Sequence, residues 1–202
     1  MQQRRPRELR IIAGEWRGRR LRFPAGTAIR PTPDRVRETL FNWLGPTIRG
    51  ARALDLFAGS GALGLEALSR GAAAAVFVDA DPRSIAALRE RFAEWGARAV
   101  EAHRADALDW LARPRGHGVA PFDVVFLDPP FAAGLLATAC ARLESGDWLA
   151  PGARIYLEAP AREPLPSLPV GWELLRSGAA GEVGYHLARR PGEDPPSRGE
   201  PT

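Results

Sequence analysis

A chain of 202 residues is long enough for one well-buried domain and too short for two ordinary ones. Its 45% hydrophobic and 26% charged content excludes a disordered chain, and no apolar run reaches the length of a bilayer span. All the basic charge is arginine, and residues 1–37 hold eleven arginines against Glu8, Glu15 and Asp34, a local balance of +8 in a chain of net +4. Such segregation suits a phosphate-facing segment, where guanidinium groups displace counterions. A solvated tail shaped by coding bias gives the same composition.

In chain order, Arg10 to Gly14 and Arg19 to Phe23 read as two short strands around Gly14–Gly18, a small basic hairpin after a frayed start. Thr32-Pro33-Asp34 is a helix start, with Thr32 as N-cap and Pro33 at the first helical position. Val36, Leu40, Phe41 and Leu44 give that helix its apolar stripe, and Gly45-Pro46 ends it. From Ala53 strands and helices alternate. Strands are expected at Ala53–Phe57, Ala74–Val78, Ala99–Ala102, Phe122–Leu127 and Arg154–Glu158, with helices at Ala62–Arg70, Pro82–Trp95, Asp106–Leu111 and Leu135–Leu143. This rhythm implies an α/β fold, a parallel sheet covered on both faces with its site at the carboxyl ends of the strands. Trp172–Arg176 and Val183–Arg189 have no helix between them and read as an antiparallel hairpin at the sheet edge. Residues 190–202, rich in proline, glycine and charge, read as a disordered tail.

The chemistry concentrates at the ends of the predicted strands. Asp55-Leu56-Phe57-Ala58-Gly59-Ser60-Gly61 runs from a strand through a glycine turn into a helix. The glycines allow backbone to approach a ligand, and the helix start offers free N–H groups. Asp79, at the end of the next strand, is placed to accept both hydrogens of a ribose diol, with Asp81 as a competitor. Asp55 would face a cationic amino group, and Asp106 with Ala107 would meet an adenine; an ordinary helix cap is the other reading of Asp106. Together these acids outline an adenosine joined to an amino acid. Asp128-Pro129-Pro130-Phe131 follows the most apolar strand. Two prolines fix the backbone and leave carbonyls facing the site. An amine on a heteroaromatic ring is a poor nucleophile, because its lone pair is delocalised into the ring. Accepting its two hydrogens on the Asp128 carboxylate and the Pro129 carbonyl aims that lone pair at an electrophilic methyl, with Phe131 stacked on the base.

Asp128-Pro129-Pro130-Phe131 resembles the D/N-P-P-Y/F motif of class I amino-methyltransferases. Arg10-Ile11-Ile12-Ala13-Gly14, Trp16-Arg17-Gly18-Arg19, Arg30-Pro31-Thr32, Asp34 to Leu44 and Phe57 to Arg70 are similar to the RsmD family of small-subunit rRNA guanine-N2 methyltransferases. The resemblance covers about Leu9 to Arg189. It implies a Rossmann-like class I methyltransferase fold with a seven-stranded sheet, S-adenosyl-L-methionine as donor, and guanine 966 of 16S rRNA, in RNA numbering, as target. It also implies an assembled or assembling small subunit as partner. Carried over residue by residue, the cofactor contacts are Asp55, Phe57, Gly59, Gly61, Asp79, Asp106 and Ala107, and the catalytic segment is Asp128 to Phe131. The family usually has glutamate at the position of Asp79, so the side chain here is a methylene shorter and a longer or water-mediated ribose contact is expected.

Arg17, Arg19, Arg20, Arg22 and Arg30 are the candidate RNA contacts. Trp16 among them reads as an isolated exposed aromatic, with stacking on RNA as the alternative. His103, His117 and His186 do not cluster with Cys140 or with acids at metal-ligand spacing, so no metal is expected. One cysteine and the absence of a signal-like start fit a cytoplasmic monomer. The expected division is a basic arm over 1–30, a catalytic unit over 31–189 and the tail. Rival activities are a DNA amine methyltransferase, which would need a larger target-recognition segment, a nicotinamide-dependent oxidoreductase, and a non-catalytic RNA-binding assembly factor.

Overall fold

The computed structural model describes residues 8–22, 32–116, 119–130 and 134–192. Phe131, Arg30, His117 and residues 193–202 of the expected tail lie outside the described residues, as does the side chain of Arg22. The elements are β1 (Glu8–Arg10), β2 (Arg20–Arg22), α1 (Asp34–Leu44), β3 (Arg52–Asp55), α2 (Ala62–Ser69), β4 (Ala74–Asp79) and α3 (Pro82–Trp95). They continue with β5 (Val100–Arg104), α4 (Ala107–Leu111), β6 (Phe122–Leu127), α5 (Leu135–Ser145), β7 (Leu149–Pro160), β8 (Glu173–Ala180) and β9 (Val183–Arg189). A seven-stranded sheet has the order β5-β4-β3-β6-β7-β9-β8, with β3 to β7 parallel and β9 antiparallel to both β7 and β8. The α/β architecture and the C-terminal antiparallel hairpin are those expected.

Alternate residues of each central strand enter opposite faces. Ala53, Phe77, Val124, Phe126 and Tyr156 pack with α1, α2 and α3 in one layer of core, while Leu54, Val76, Val125, Leu127 and Ile155 pack with α4 and α5 in the other. Because both faces are covered, β6 reads as a nearly unbroken apolar run rather than as an alternation. The chain moves outward from β3 through β4 to β5, then returns to place β6 on the other side of β3. The strand order therefore reverses between β3 and β6, and in such sheets the crevice beyond the carboxyl ends at that reversal is the place for a ligand.

Several expected boundaries move. Cross-strand backbone bonding ends at Ile11, because Ile12 N–H and Ala13 N–H donate to the buried Glu66 carboxylate at 2.7 and 3.1 Å. Leu9, Ile11, Trp16 and Leu21 join the α2 and α3 core, so the N-terminal hairpin is docked rather than free. Trp16 is 6% exposed and packs on Trp95 with ring centroids 5.4 Å apart, which removes it from the exposed aromatics. β8 runs on to Ala180 through Ser177-Gly178-Ala179, residues of poor strand propensity held by pairing with β9. A Cβ at Gly178 would come within 2.5 Å of the Tyr185 ring, so glycine is what admits that ring there. At the other end of the expected tail, Arg190 is anchored to Glu144 at 3.1 Å.

Candidate active site

Every acid singled out in the sequence follows or ends a parallel strand on one edge of the sheet. Asp55 closes β3 and is 3% exposed. Its Oδ2 accepts the N–H of Gly64 at 2.9 Å, so the carboxyl reaches over the glycine turn to the first turn of α2. Burial pushes its pKa up to about 7, opposed by the Gly64 hydrogen bond and reinforced by the nearby Asp79. The turn itself needs glycine: Gly59 and Gly61 have φ of +51° and +76°, and a Cβ at Gly61 would lie 2.4 Å from Leu88. Phe57, half-buried, leads into it.

Asp79 closes β4 and ties that turn down, accepting Gly59 N–H on Oδ2 and Asp81 N–H on Oδ1, both at 2.7 Å. Asp81 instead caps α3, accepting Arg83 N–H at 2.9 Å and the Arg83 guanidinium on both oxygens. The guanidinium and the cap hold its pKa below the usual carboxylate value. Of the two, Asp79 is therefore the one bound to the glycine turn. Asp106 caps α4 with Oδ1, which accepts Leu108 N–H and Asp109 N–H at 2.8 and 3.0 Å. Oδ2 stays unengaged by described residues, so the cap uses one oxygen of the carboxylate and leaves the other open. Ala107, buried, begins the helix beside it.

Asp128 follows β6. Because Asp55 pairs with Phe126 in the parallel register, Asp128 stands two residues beyond that pair on the adjacent strand. Its carboxyl feels the charge of Asp55, so the two segments lie near one another beyond the carboxyl ends of β3 and β6. Pro129 is buried and Pro130 exposed.

The sequence reading missed a second group here. Leu127 pairs with Leu157, so Asp128 and Glu158 occupy neighbouring positions where β6 and β7 leave the core. Glu158 is 3% exposed and its Oε1 accepts hydrogen bonds from Tyr156 at 2.7 Å and Thr32 at 2.9 Å. Thr32 is not the expected N-cap: Pro33 holds that position without a side-chain cap, and the Thr32 hydroxyl turns into the site, 3.4 Å from Asp128 Oδ2. Burial raises the pKa of both carboxyls, and Glu158 raises that of Asp128 further. The available signal was an acid ending the apolar run Ile155-Tyr156-Leu157 beside the strand of Asp128.

Arg17, Arg19 and Arg20 are exposed on the docked hairpin. The Arg19 and Arg91 guanidinium groups lie 5.4 and 5.6 Å from the Trp95 ring centroid, and Arg91 Nη1 donates to the Arg20 carbonyl at 3.2 Å. Arg19, Arg20, Arg91 and Trp95 line an open groove of about 560 Å³ with Glu90 and Glu94 on its rim.

Residues 9–189 match the family model described as "Conserved hypothetical protein 95". The Escherichia coli K12 protein described as "Ribosomal RNA small subunit methyltransferase D" is 46% identical over 183 residues, covering 91% of this chain and 90% of its own. A solved structure of an E. coli "Putative methyltransferase yhhF", also 46% identical, superposes with a TM-score of 0.84 over 93% of this chain and all of its own. A "16S rRNA N2 G1207 methyltransferase (RsmC) in complex with AdoMet and Guanosine" from Thermus thermophilus, 27% identical, reaches a TM-score of 0.60 over 92% of this chain and half of its own. The family model and the full-length match to ribosomal RNA methyltransferase D make this chain a member of the RsmD family of class I rRNA methyltransferases.

Proposed function

We propose that this chain transfers a methyl group from S-adenosyl-L-methionine to the exocyclic N2 amine of a guanine in 16S rRNA, guanine 966 in RNA numbering, within the assembled or assembling small subunit. The observation that carries the reading is the convergence of Asp128 with the Asp55–Gly61 turn where the strand order reverses. Asp55 suits such a donor: a fully buried carboxyl with no cationic partner among the described residues is what an amino-acid ammonium group would neutralise. Asp79 would take the ribose hydroxyls, Asp106 Oδ2 and Ala107 the adenine edge, and Phe57 with the glycine turn the space between. When bound, the donor supplies an electrophilic methyl.

The chain's own work is orientation. Asp128 and the Pro129 carbonyl accept the amine hydrogens, and Phe131 stacks on the base, so that the nitrogen lone pair points along the transfer line. Residues 31–189 form the catalytic unit. The segment through residue 30 adds an RNA-facing surface, in which Arg17, Arg19, Arg20, Arg22 and Arg30 meet phosphates while its apolar side chains join the core. The names of its relatives support the substrate: the E. coli protein is a small-subunit rRNA methyltransferase, and the T. thermophilus enzyme is an N2 methyltransferase with guanosine bound.

The test is transfer of labelled methyl to small subunits from a strain lacking the modification, followed by mapping of the modified base. Label on the N2 of one guanine is expected, and Asp128→Ala should abolish transfer while retaining subunit binding. Label on DNA alone, or undiminished turnover by Asp128→Ala, would refute the assignment.

A further inference from the structure

Two carboxyls side by side at the ends of adjacent strands, Glu158 buried and Asp128 half-buried, repel each other, and full charge on both is costly without a cation between them. The titratable groups acting on this pair among the described residues are Asp55 from β3, Tyr156 from β7 itself and, through Tyr156, Tyr185 from β9. None is a cation. A shared proton neutralises half of the charge, and the donors are arranged unequally about it. Glu158 Oε1 receives hydrogens from Tyr156 and Thr32 at 2.7 and 2.9 Å, whereas among the described residues the donor to Asp128 is the Thr32 hydroxyl, at 3.4 Å. A hydroxyl has one hydrogen, and the shorter contact claims it. The ionised form is thus favoured on Glu158 and the proton on Asp128.

We propose that Glu158 is the second carboxyl of a proton-sharing pair with Asp128, and that it receives, through Asp128, the proton released when the amine is methylated. The proposal rests on the functional reading above. As the N–C bond forms and the donor's sulfur–methyl bond breaks, the sulfonium becomes a neutral thioether and the amine nitrogen gains a positive charge. Its N–H bond then breaks toward the unprotonated oxygen of Asp128, while the proton already on Asp128 passes to Glu158. The pair enters the step with one proton and leaves with two, and the surplus goes to water when product departs. Asp128 accepts the amine hydrogen until the proton crosses, and passing its own proton to Glu158 leaves it singly protonated, which a lone acid already holding a proton could not achieve. Glu158 acts through Asp128 and is a positioning residue.

The test has two arms on the full chain. In the free protein, carbon-13 NMR of labelled carboxyls should show Asp128 and Glu158 titrating in two coupled steps. In Glu158→Gln, Asp128 should titrate in one step at lower pH. An Asp128 titration identical in the two proteins overturns the pairing, whatever the substrate is. In the second arm, kcat on small subunits is followed against pH at saturating methyl donor. Glu158→Gln should lower kcat about a hundred-fold with KM little changed and move the acid limb down. Tyr156→Phe, which removes a donor from Glu158 Oε1, should move that limb up. Limbs that stay in place, or both move the same way, overturn the relay. Coupled titration in the first arm with no rRNA methylation by any variant would instead count against the functional reading alone, leaving the pair intact.

Discussion

The hydroxyl of Thr32 donates to Oε1 of Glu158 at 2.9 Å, joining the residue two before α1 to the carboxyl end of β7 across 126 positions of sequence. Both partners are buried, at 6% and 3% exposure. Thr32→Val keeps the shape and removes the donor, so Glu158 loses one of the two hydroxyl donors to its Oε1. The expected loss is about 1–3 kcal/mol, the range for stranding a buried polar group. It is read from the denaturant midpoint, and Thr32→Ser should recover most of it. Equal midpoints for valine and threonine would mean that water already serves Glu158.

Asp55 predicts a pH dependence of both ligand binding and stability. Its folded pKa of about 7 lies above the ordinary 3.8. Between those values the folded protein holds a proton that the unfolded chain has lost, so this contribution to stability falls as pH rises from the lower value through the upper one. The slope is at most about 1.4 kcal/mol per pH unit. Asp55→Asn should flatten it and make the free protein more stable than wild type at about pH 8. A cationic amino group binds the ionised form. S-adenosylhomocysteine should therefore bind wild type more weakly as pH falls below about 7, by up to about tenfold per unit, and bind the variant weakly at every pH. Calorimetric titration on either side of pH 7 decides it: affinity independent of pH in wild type would exclude Asp55 as the ammonium partner.

The hairpin is tied to α2 by the buried acid Glu66 together with Ser69, which bonds Ala13, Glu15 and Trp16. Glu66, fully buried, accepts Ile12 N–H, Ala13 N–H and Arg70 Nε, and lies 3.6 Å from Arg37 Nη1. Arg37 is itself fully buried, with Nη2 on the Arg10 carbonyl and on Asp34. Glu66→Ala removes the charge that balances Arg37 and the acceptor for two backbone N–H groups, and should cost about 3–5 kcal/mol. Gly14→Ala attacks the same joint by shape alone, since its Cβ would fall 1.7 Å from the Ser69 carbonyl oxygen at a φ of +85°. Both variants should raise amide exchange across β1 and β2 more than in β6. Uniform exchange throughout would mean that the hairpin unfolds only with the whole domain.

The strand and helix alternation was legible because β3, β4 and β6 are apolar on both faces and each parallel crossover carries a helix with its own punctuation, such as Gly71 and Gly96. The Asp55 turn and Asp128 could be found from local sequence, since each lies directly after a strand. Glu158 and Thr32 could not: their importance depends on the register of β6 against β7 and on where the segment before α1 returns, and neither is encoded within a few residues of them. Trp16 misled for a related reason. Its arginine and glycine neighbours look solvated, while the ring turns inward onto Trp95 and only the guanidinium groups face outward.

That separation of buried ring from exposed cations makes the electrostatic role of the hairpin measurable without disturbing its packing. Arg17, Arg19 and Arg20 are exposed, and the Arg20 side chain keeps 64% of its surface open despite its ion pair with Glu8. Replacing all three by glutamine leaves Leu9, Ile11, Trp16 and Leu21 in the core. If each arginine meets one phosphate, the plot of log affinity for small subunits against log salt should flatten by about 0.7–0.9 per contact, or about 2–3 for the set of three. Arg162 and Arg176, exposed at the opposite end of the chain, serve as the control pair, and their replacement should leave the slope alone. The comparison separates the two origins of the N-terminal charge. Phosphate contact makes the slope depend on position, so the hairpin set must exceed the control pair per arginine removed. Biased codons make it depend on net charge only, and equal slopes per arginine would reduce the hairpin to a docked element without a share in RNA binding.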